Sequence, residues 1–114
     1  MIRGEIWWVD FGLPFGSEPG FKRPAVIIQD DAFNRSRIST VIIIPITTNL
    51  RLAEAPGNVL VEKGKVKLSK DSVVVVSQLA TIDKRRLIEK IDKMDIEIMK
   101  EIEYGIKMIL GILY

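Results

Sequence analysis

Apolar and polar positions follow two different periods along the chain, and the change of period divides it. In GEIWWVDF, Ile6 and Trp8 alternate with Trp7 and Val9, as in a strand with two distinct faces. RPAVIIQD reads as a buried strand, with Pro24 allowed at an edge or at the strand's entry because a mid-sheet proline would delete a ladder donor. STVIIIPITTN is a third strand, rich in β-branched residues, in which Pro45 predicts an edge, a bend or a bulge just before Thr47 and Thr48. GNVLVEK follows the turn signal Pro56-Gly57-Asn58, and DSVVVVSQLATI reads as one further strand, apolar on both faces and therefore central. A short run from Leu87 to Ile91 predicts a last strand.

From Asp95 the spacing becomes helical. Asp95 is an N-cap, Glu97 suits the positive end of the helix dipole, and Ile98, Met99, Ile102, Ile106, Ile109 and Leu113 recur at three and four residues. Burying each such side chain is worth about 1.5 to 3 kcal/mol, so the stripe is expected to lie against the sheet or a second subunit. Gly105 and Gly111 weaken the helix by roughly 1 kcal/mol each relative to alanine, which suggests close packing or a helix end. Many short strands followed by one helix predict a curved antiparallel sheet or small barrel with the helix packed on it.

Length and composition narrow the chemistry. At 114 residues, the chain is expected to be one domain over 1–114, with 47% hydrophobic and 28% charged residues and no repeat or low-complexity tract. It has no cysteine and no histidine, which removes disulfides, thiolate nucleophiles, the usual zinc sites and imidazole acid/base chemistry. No GxGxxG, Walker loop, GxSxG or HExxH motif occurs. MIRGEIWW has no signal-peptide pattern, and no apolar run approaches the roughly 18 residues that span a bilayer, so a cytoplasmic location without membrane attachment is expected.

Seventeen Lys and Arg against fifteen Asp and Glu leave a net charge of +2, too small for binding nucleic acid by bulk field. Local clusters matter more: Lys22-Arg23, Arg35 with Arg37, and Lys84-Arg85-Arg86 all lie beside predicted strand ends where a groove could collect them. Asp30-Asp31 suggests a metal at first sight, but adjacent strand residues point to opposite faces. For the same reason one of Trp7 and Trp8 faces the core, and the other is free to stack a base or line an interface. GSEPGFKRPAVIIQ sets a polar, glycine-containing loop against Arg23 and Pro24 and then enters the core, which reads as a flap whose base is anchored so that Arg23 projects from rigid structure.

RGEIWWVDF, GSEPGFKRPAVIIQ, IIIPITTN and DSVVVVSQLATIDKRRL occur in the order and spacing found in the MazF/PemK (Kid) toxins, and the chain resembles that family from its first strand to its terminal helix. The resemblance implies a mainly β fold with a C-terminal helix, the SH3-like small barrel of plasmid-maintenance toxins. It also implies the toxic half of a type II toxin-antitoxin pair: a homodimeric endoribonuclease, free of metal and other cofactors, that cuts single-stranded RNA and mRNA at short motifs. Its partner would be a cognate, acidic, partly disordered MazE-like antitoxin. Arg23 and Thr47 match the family's catalytic pair, with Thr48 the candidate if the register shifts by one at Pro45. Gly16, Ser17, Glu18, Lys22, Asp30 and Gln78 are the implied RNA contacts, and Glu18 is the nearest carboxylate to accept a proton. A gyrase-binding toxin of the same fold, which needs neither Arg23 nor Thr47, is the alternative; a non-toxic SH3-like binding module is a third reading.

The residue types suit such chemistry in their own right. RNA is cut most simply without a metal when its 2′-hydroxyl attacks the adjacent phosphorus, since that nucleophile is already positioned. What remains is to take the 2′ proton, stabilise charge on the phosphoryl oxygens and protonate the departing 5′ oxygen. A guanidinium at Arg23 presents a planar fork of donors to phosphate, and a hydroxyl at Thr47 can donate to a phosphoryl oxygen. Gln78 can read a base edge or bond to backbone.

Overall fold

In a computed structural model the described residues are 1–112, so Leu113 of the helical stripe lies outside them. Seven strands form the sheet: β1 (Glu5–Asp10), β2 (Lys22–Ile27), β3 (Thr40–Thr47), β4 (Val59–Val61), β5 (Ser72–Val74), β6 (Ala80–Asp83) and β7 (Leu87–Lys93). A short helix α1 (Asp31–Asn34) follows β2, and the helix α2 (Ile96–Leu110) ends the fold. The strand order is β4-β5-β3-β2-β1-β7, with β6 paired to β3, and among the described residues each pairing is antiparallel. This is the mainly β fold with a C-terminal helix that the periodicities predict.

Alternation along each strand loads the two faces differently. One face carries Ile6, Val26, Ile44 and Val74 and packs against Met99 and Ile102 of α2. The other carries Val9, Ala25, Ile27, Val41 and Ile43, closed by Ile82 and flanked by Trp7, Phe11 and Leu87. Trp7 is thus the inward tryptophan and Trp8 the outward one, as adjacent strand positions require.

DSVVVVSQLATI proves to be two strands. β5 pairs Val74 with Ile46; the chain then leaves the ladder through a 3-10 turn, Val76–Gln78, and β6 rejoins β3 at Ala80 opposite Ile43. The expected single central strand is therefore split, and β6 is an edge. Pro45 supplies the reason. Its carbonyl accepts from Val75 N at 3.0 Å, so its nitrogen, which has no hydrogen to give, faces the place where β3 changes partner from β6 to β5. Pro45 consequently sits within a central strand at a change of partner rather than at an edge. Pro24 lies one residue before the β2–β3 pairing begins at Ala25, where it removes no rung of that ladder.

A second correction concerns Asp30 and Asp31, which are not strand residues. Asp30 caps α1, its Oδ2 accepting from Ala32 N at 2.9 Å, and Asp31 Oδ1 accepts from Arg3 N at 2.7 Å and Asn34 Nδ2 at 3.0 Å. An aspartate pair after a strand is a helix start as readily as a strand continuation.

Asp95 caps α2 as expected, with Oδ1 accepting from Glu97 N at 2.7 Å. The buried line on α2 is Met99, Ile102 and Gly105, while Ile98 and Ile106 are half-buried and Ile109 stays exposed, a narrower contact than the stripe predicts. Gly105 explains the approach: a Cβ there would collide with the carbonyl oxygen of Gly57, so only hydrogen lets α2 close on that turn. Gly111 ends the helix at φ 71°.

The N-terminal strand is clamped by Glu5, which is 6% exposed. Its Oε1 accepts from Ile2 N at 2.8 Å and Trp7 Nε1 at 3.1 Å, and its Oε2 pairs with Lys90 Nζ at 3.1 Å. Burial alone would push this carboxyl up, but the Trp7 and Ile2 donors and the Lys90 ammonium outweigh it and hold the group below the ordinary glutamate range.

Candidate active site

Beyond Pro24 and Pro45, β2 and β3 are no longer paired, and a cleft of about 480 Å³ opens between their ends. Trp8, Phe21, Arg23, Thr47, Thr48 and Asn49 are among the residues on its wall. Continuing the register of Val26 with Ile44 and Ala25 with Pro45 sets Arg23 against Thr47, on one face of the sheet. The family resemblance named these two, and the continued register sets them opposite each other on the cleft wall.

Each is oriented by one bond that leaves its useful donors available. Arg23 Nε donates to Gly20 O at 3.0 Å, which fixes the plane of the guanidinium through the base of the flap. Among the described residues no carboxylate pairs with Arg23, and its terminal nitrogens have no side-chain acceptor. Thr47 Oγ1 accepts from Asn49 N at 3.2 Å, so the hydroxyl's own hydrogen can point outward. The cleft wall carries Lys22 and Arg23 and no acidic residue, a composition that attracts an anion.

The loop between β1 and β2 is stapled at its base: Phe11 N donates to Phe21 O at 2.8 Å, and Phe21 N donates to Gly12 O at 2.5 Å. Gly20 is held against Pro14, whose ring atoms would lie 2.5 Å from any Cβ at that position. Phe21 follows in a left-handed backbone, φ 60°, where a side chain costs about 1–2 kcal/mol relative to glycine. It is the one non-glycine residue with positive φ among those described.

Not every expected contact gathers here. Lys22, Arg23, Thr47 and Thr48 line the cleft; Gly16, Ser17 and Glu18 lie on the exposed flap beside it and are absent from its wall. Gln78 links the 3-10 turn to the flap, its Nε2 donating to Ser17 O at 3.3 Å, which is the backbone bond weighed for it from sequence. Asp30 is at the far end of β2, seven residues beyond Arg23 and engaged as the α1 cap. Of the cation clusters, Lys84-Arg85-Arg86 is committed internally. Lys84 Nζ donates to Asn34 O, Arg86 Nη1 to Asp10 O, and Arg85 grips Asp83, whose carboxyl its guanidinium and backbone N–H hold at about 2.

Phe21 is a cleft residue that sequence reasoning did not assign, whereas Trp8 is the outward tryptophan for which base stacking or an interface was expected. The available signal was an aromatic interleaved with basic residues in Gly20-Phe21-Lys22-Arg23. A larger groove of about 660 Å³ runs between β4 and α2 past Leu60, Tyr104 and Met108, and holds none of the residues named for catalysis.

Comparison with known proteins adds a family and a set of relatives. Residues 2–110 match the family model described as PemK-like, MazF-like toxin of type II toxin-antitoxin system. An endoribonuclease MazF from Staphylococcus saprophyticus is 42% identical over 112 residues, covering 98% of this chain and 92% of the relative. The endoribonuclease MazF2 of Mycobacterium bovis is 39% identical over 110 residues, 96% of each. A solved mycobacterial endoribonuclease in complex with its cognate antitoxin superposes with a TM-score of 0.81 at 21% identity, covering 100% of this chain and 98% of that one, a likeness of fold.

Proposed function

The chain belongs to the PemK-like, MazF-like toxins of type II toxin-antitoxin systems, and from that premise we propose that it is an endoribonuclease whose cleft between β2 and β3 cuts single-stranded RNA. The observation that carries this reading is Arg23 set against Thr47 at the mouth of a cationic cleft, each with donors free for a phosphate.

In the step proposed, the substrate's 2′ oxygen bonds to phosphorus as the bond from phosphorus to the 5′ oxygen breaks. The products are a 2′,3′-cyclic phosphate and a 5′-hydroxyl. Arg23 clamps two phosphoryl oxygens through its terminal nitrogens, and Thr47 donates a hydrogen bond as charge develops there. Glu18 is the nearest flap carboxylate to take the 2′ proton, and it reaches the cleft only when the flap folds over bound RNA. The leaving oxygen gains a proton from water, since Arg23 stays protonated as the clamp.

Matching over residues 2–110 supports a single toxin domain. The apolar residues left exposed late in α2, Met108, Ile109 and Leu110, suit a homodimer. An antitoxin-bound structure of the same fold supports a cognate antitoxin as partner, and the cationic cleft suits an acidic segment of it. Among the described residues no helix is long and apolar enough to cross a membrane, and a cytoplasmic site of action follows from an mRNA substrate. Relatives described as endoribonucleases favour this reading over gyrase binding.

Purified protein incubated with a long single-stranded RNA in EDTA is expected to yield fragments ending in 2′,3′-cyclic phosphate and 5′-hydroxyl. A 2′-deoxy substitution at the cut should abolish cleavage. Intact RNA together with inhibited gyrase would overturn the proposal.

A further inference from the structure

Phe21 combines three properties that do not serve folding. Its backbone is left-handed, at φ 60°, where glycine would sit without penalty. The residue is 61% exposed and belongs to neither core cluster. It also lines the cleft beside Arg23, with Trp8, itself 37% exposed, lining the same cleft. Leu13 and Phe15 on the flap are more exposed, yet neither lines the cleft nor has a positive φ. A strained backbone that holds an aromatic ring in solvent at a reactive site is a device for presenting that ring to a ligand.

We propose that Phe21, together with Trp8, brackets an unpaired base next to the scissile phosphate, and that this stacking positions the RNA chain for attack. The inference rests on the ribonuclease reading above and adds a residue to it. Lys22 and Arg23 lie directly after Phe21, so phosphate and base are gripped by consecutive residues of one strand entry. Phe21 also borders a second depression, with Gly12 and Leu13, so open space lies on more than one side of the ring. Stacking needs a splayed base, which fits single strands and rejects duplexes whose bases are paired. Trp8 is seated independently, on β1 opposite Pro24, so one wall of the bracket belongs to the sheet and the other to the base of the flap.

The discriminating variant is Phe21→Gly, because glycine relieves the backbone and removes only the ring. Binding would be measured with an RNA made uncuttable by a 2′-deoxy sugar at the mapped site, and with a series carrying one abasic position at a time around it. Relative to the parent, Phe21→Gly is expected to keep or raise its melting temperature, to bind the full RNA about tenfold more weakly, and to be rescued by Phe21→Trp. At one abasic position the parent should weaken to the same degree, with no further loss in Phe21→Gly. The bracket is overturned if Phe21→Gly binds the full RNA as tightly as the parent, or if its deficit persists at every abasic position. Parent protein that still cuts RNA in that case leaves the ribonuclease reading standing, whereas parent protein that cuts no RNA removes both.

Discussion

Arg23 on β2 stands against Thr47 on β3 by continuation of the strand register, at the point where the pairing of those strands has ceased. Two prolines, Pro24 and Pro45, flank that parting, so the residues proposed to meet the phosphate sit on rigid strand ends with open space between them. Arg23→Ala is expected to lower RNA cleavage by about 10²–10³-fold, in line with loss of one oxyanion donor. Arg23→Lys keeps the charge without the fork and should recover only part of the loss. Thr47→Val should fall by a comparable factor and Thr47→Ser should stay near the parent, while Thr48→Val, one position out of register, should retain most activity. Steady-state cleavage of a fluorogenic RNA by variants with parent-like circular dichroism is the measurement.

Gly20 ties the flap to the reactive guanidinium. Its carbonyl accepts from Arg23 Nε, and its hydrogen faces the Pro14 ring. Gly20→Ala is therefore expected to displace the flap base and loosen Arg23, lowering cleavage about tenfold or more. Because the loop is on the surface, the melting temperature should move far less than activity does.

Gly105→Ala tests the packing of α2. The added methyl meets the Gly57 carbonyl, which belongs to a turn at φ 90°. Relief demands that the helix or the turn move, at a cost of about 1–3 kcal/mol or more. Chemical denaturation should show this as a lower midpoint, whereas Leu60→Ala, on an exposed position of β4, should leave the midpoint nearly unchanged.

Glu5 predicts acid sensitivity. A carboxyl held below its unfolded value stabilises the fold above the ordinary glutamate range and loses that contribution as pH falls through it toward the lowered value. Unfolding free energy measured by urea should therefore fall as pH drops below about 5. Glu5→Gln should flatten that portion of the curve and cost about 1 kcal/mol at neutral pH, since the bonds to Ile2 N and Trp7 Nε1 lose their charged acceptor while the half-exposed Lys90 ammonium is solvated. A parent and variant with parallel curves over this range would remove Glu5 from the account.

Strand identity was legible because residues such as Ile6, Val26 and Ile44 alternate with period two, and α2 was legible from its cap at Asp95 and its spacing of three and four. What periodicity conceals is partner choice. Val73 to Val76 is continuously apolar whether it forms one strand or a strand followed by a turn, and only the partner across the sheet, with Pro45 facing the junction, decides between them. Arg23 and Thr47 were recognisable by type and motif, but their juxtaposition depends on the β2–β3 register, which is a property of two segments at once. Phe21 was hidden for a different reason: a φ of 60° cannot be read from a phenylalanine, which ordinarily avoids it.

β3 pairs with β2 along one side and with both β5 and β6 along the other, and it carries core residues for both faces. Peeling it away would empty both interiors together, which leaves no sturdy halfway form in which Thr47 is lost while Arg23 stays poised. The molecule is therefore expected to come apart as one unit, disarming both halves of the reactive pair at once.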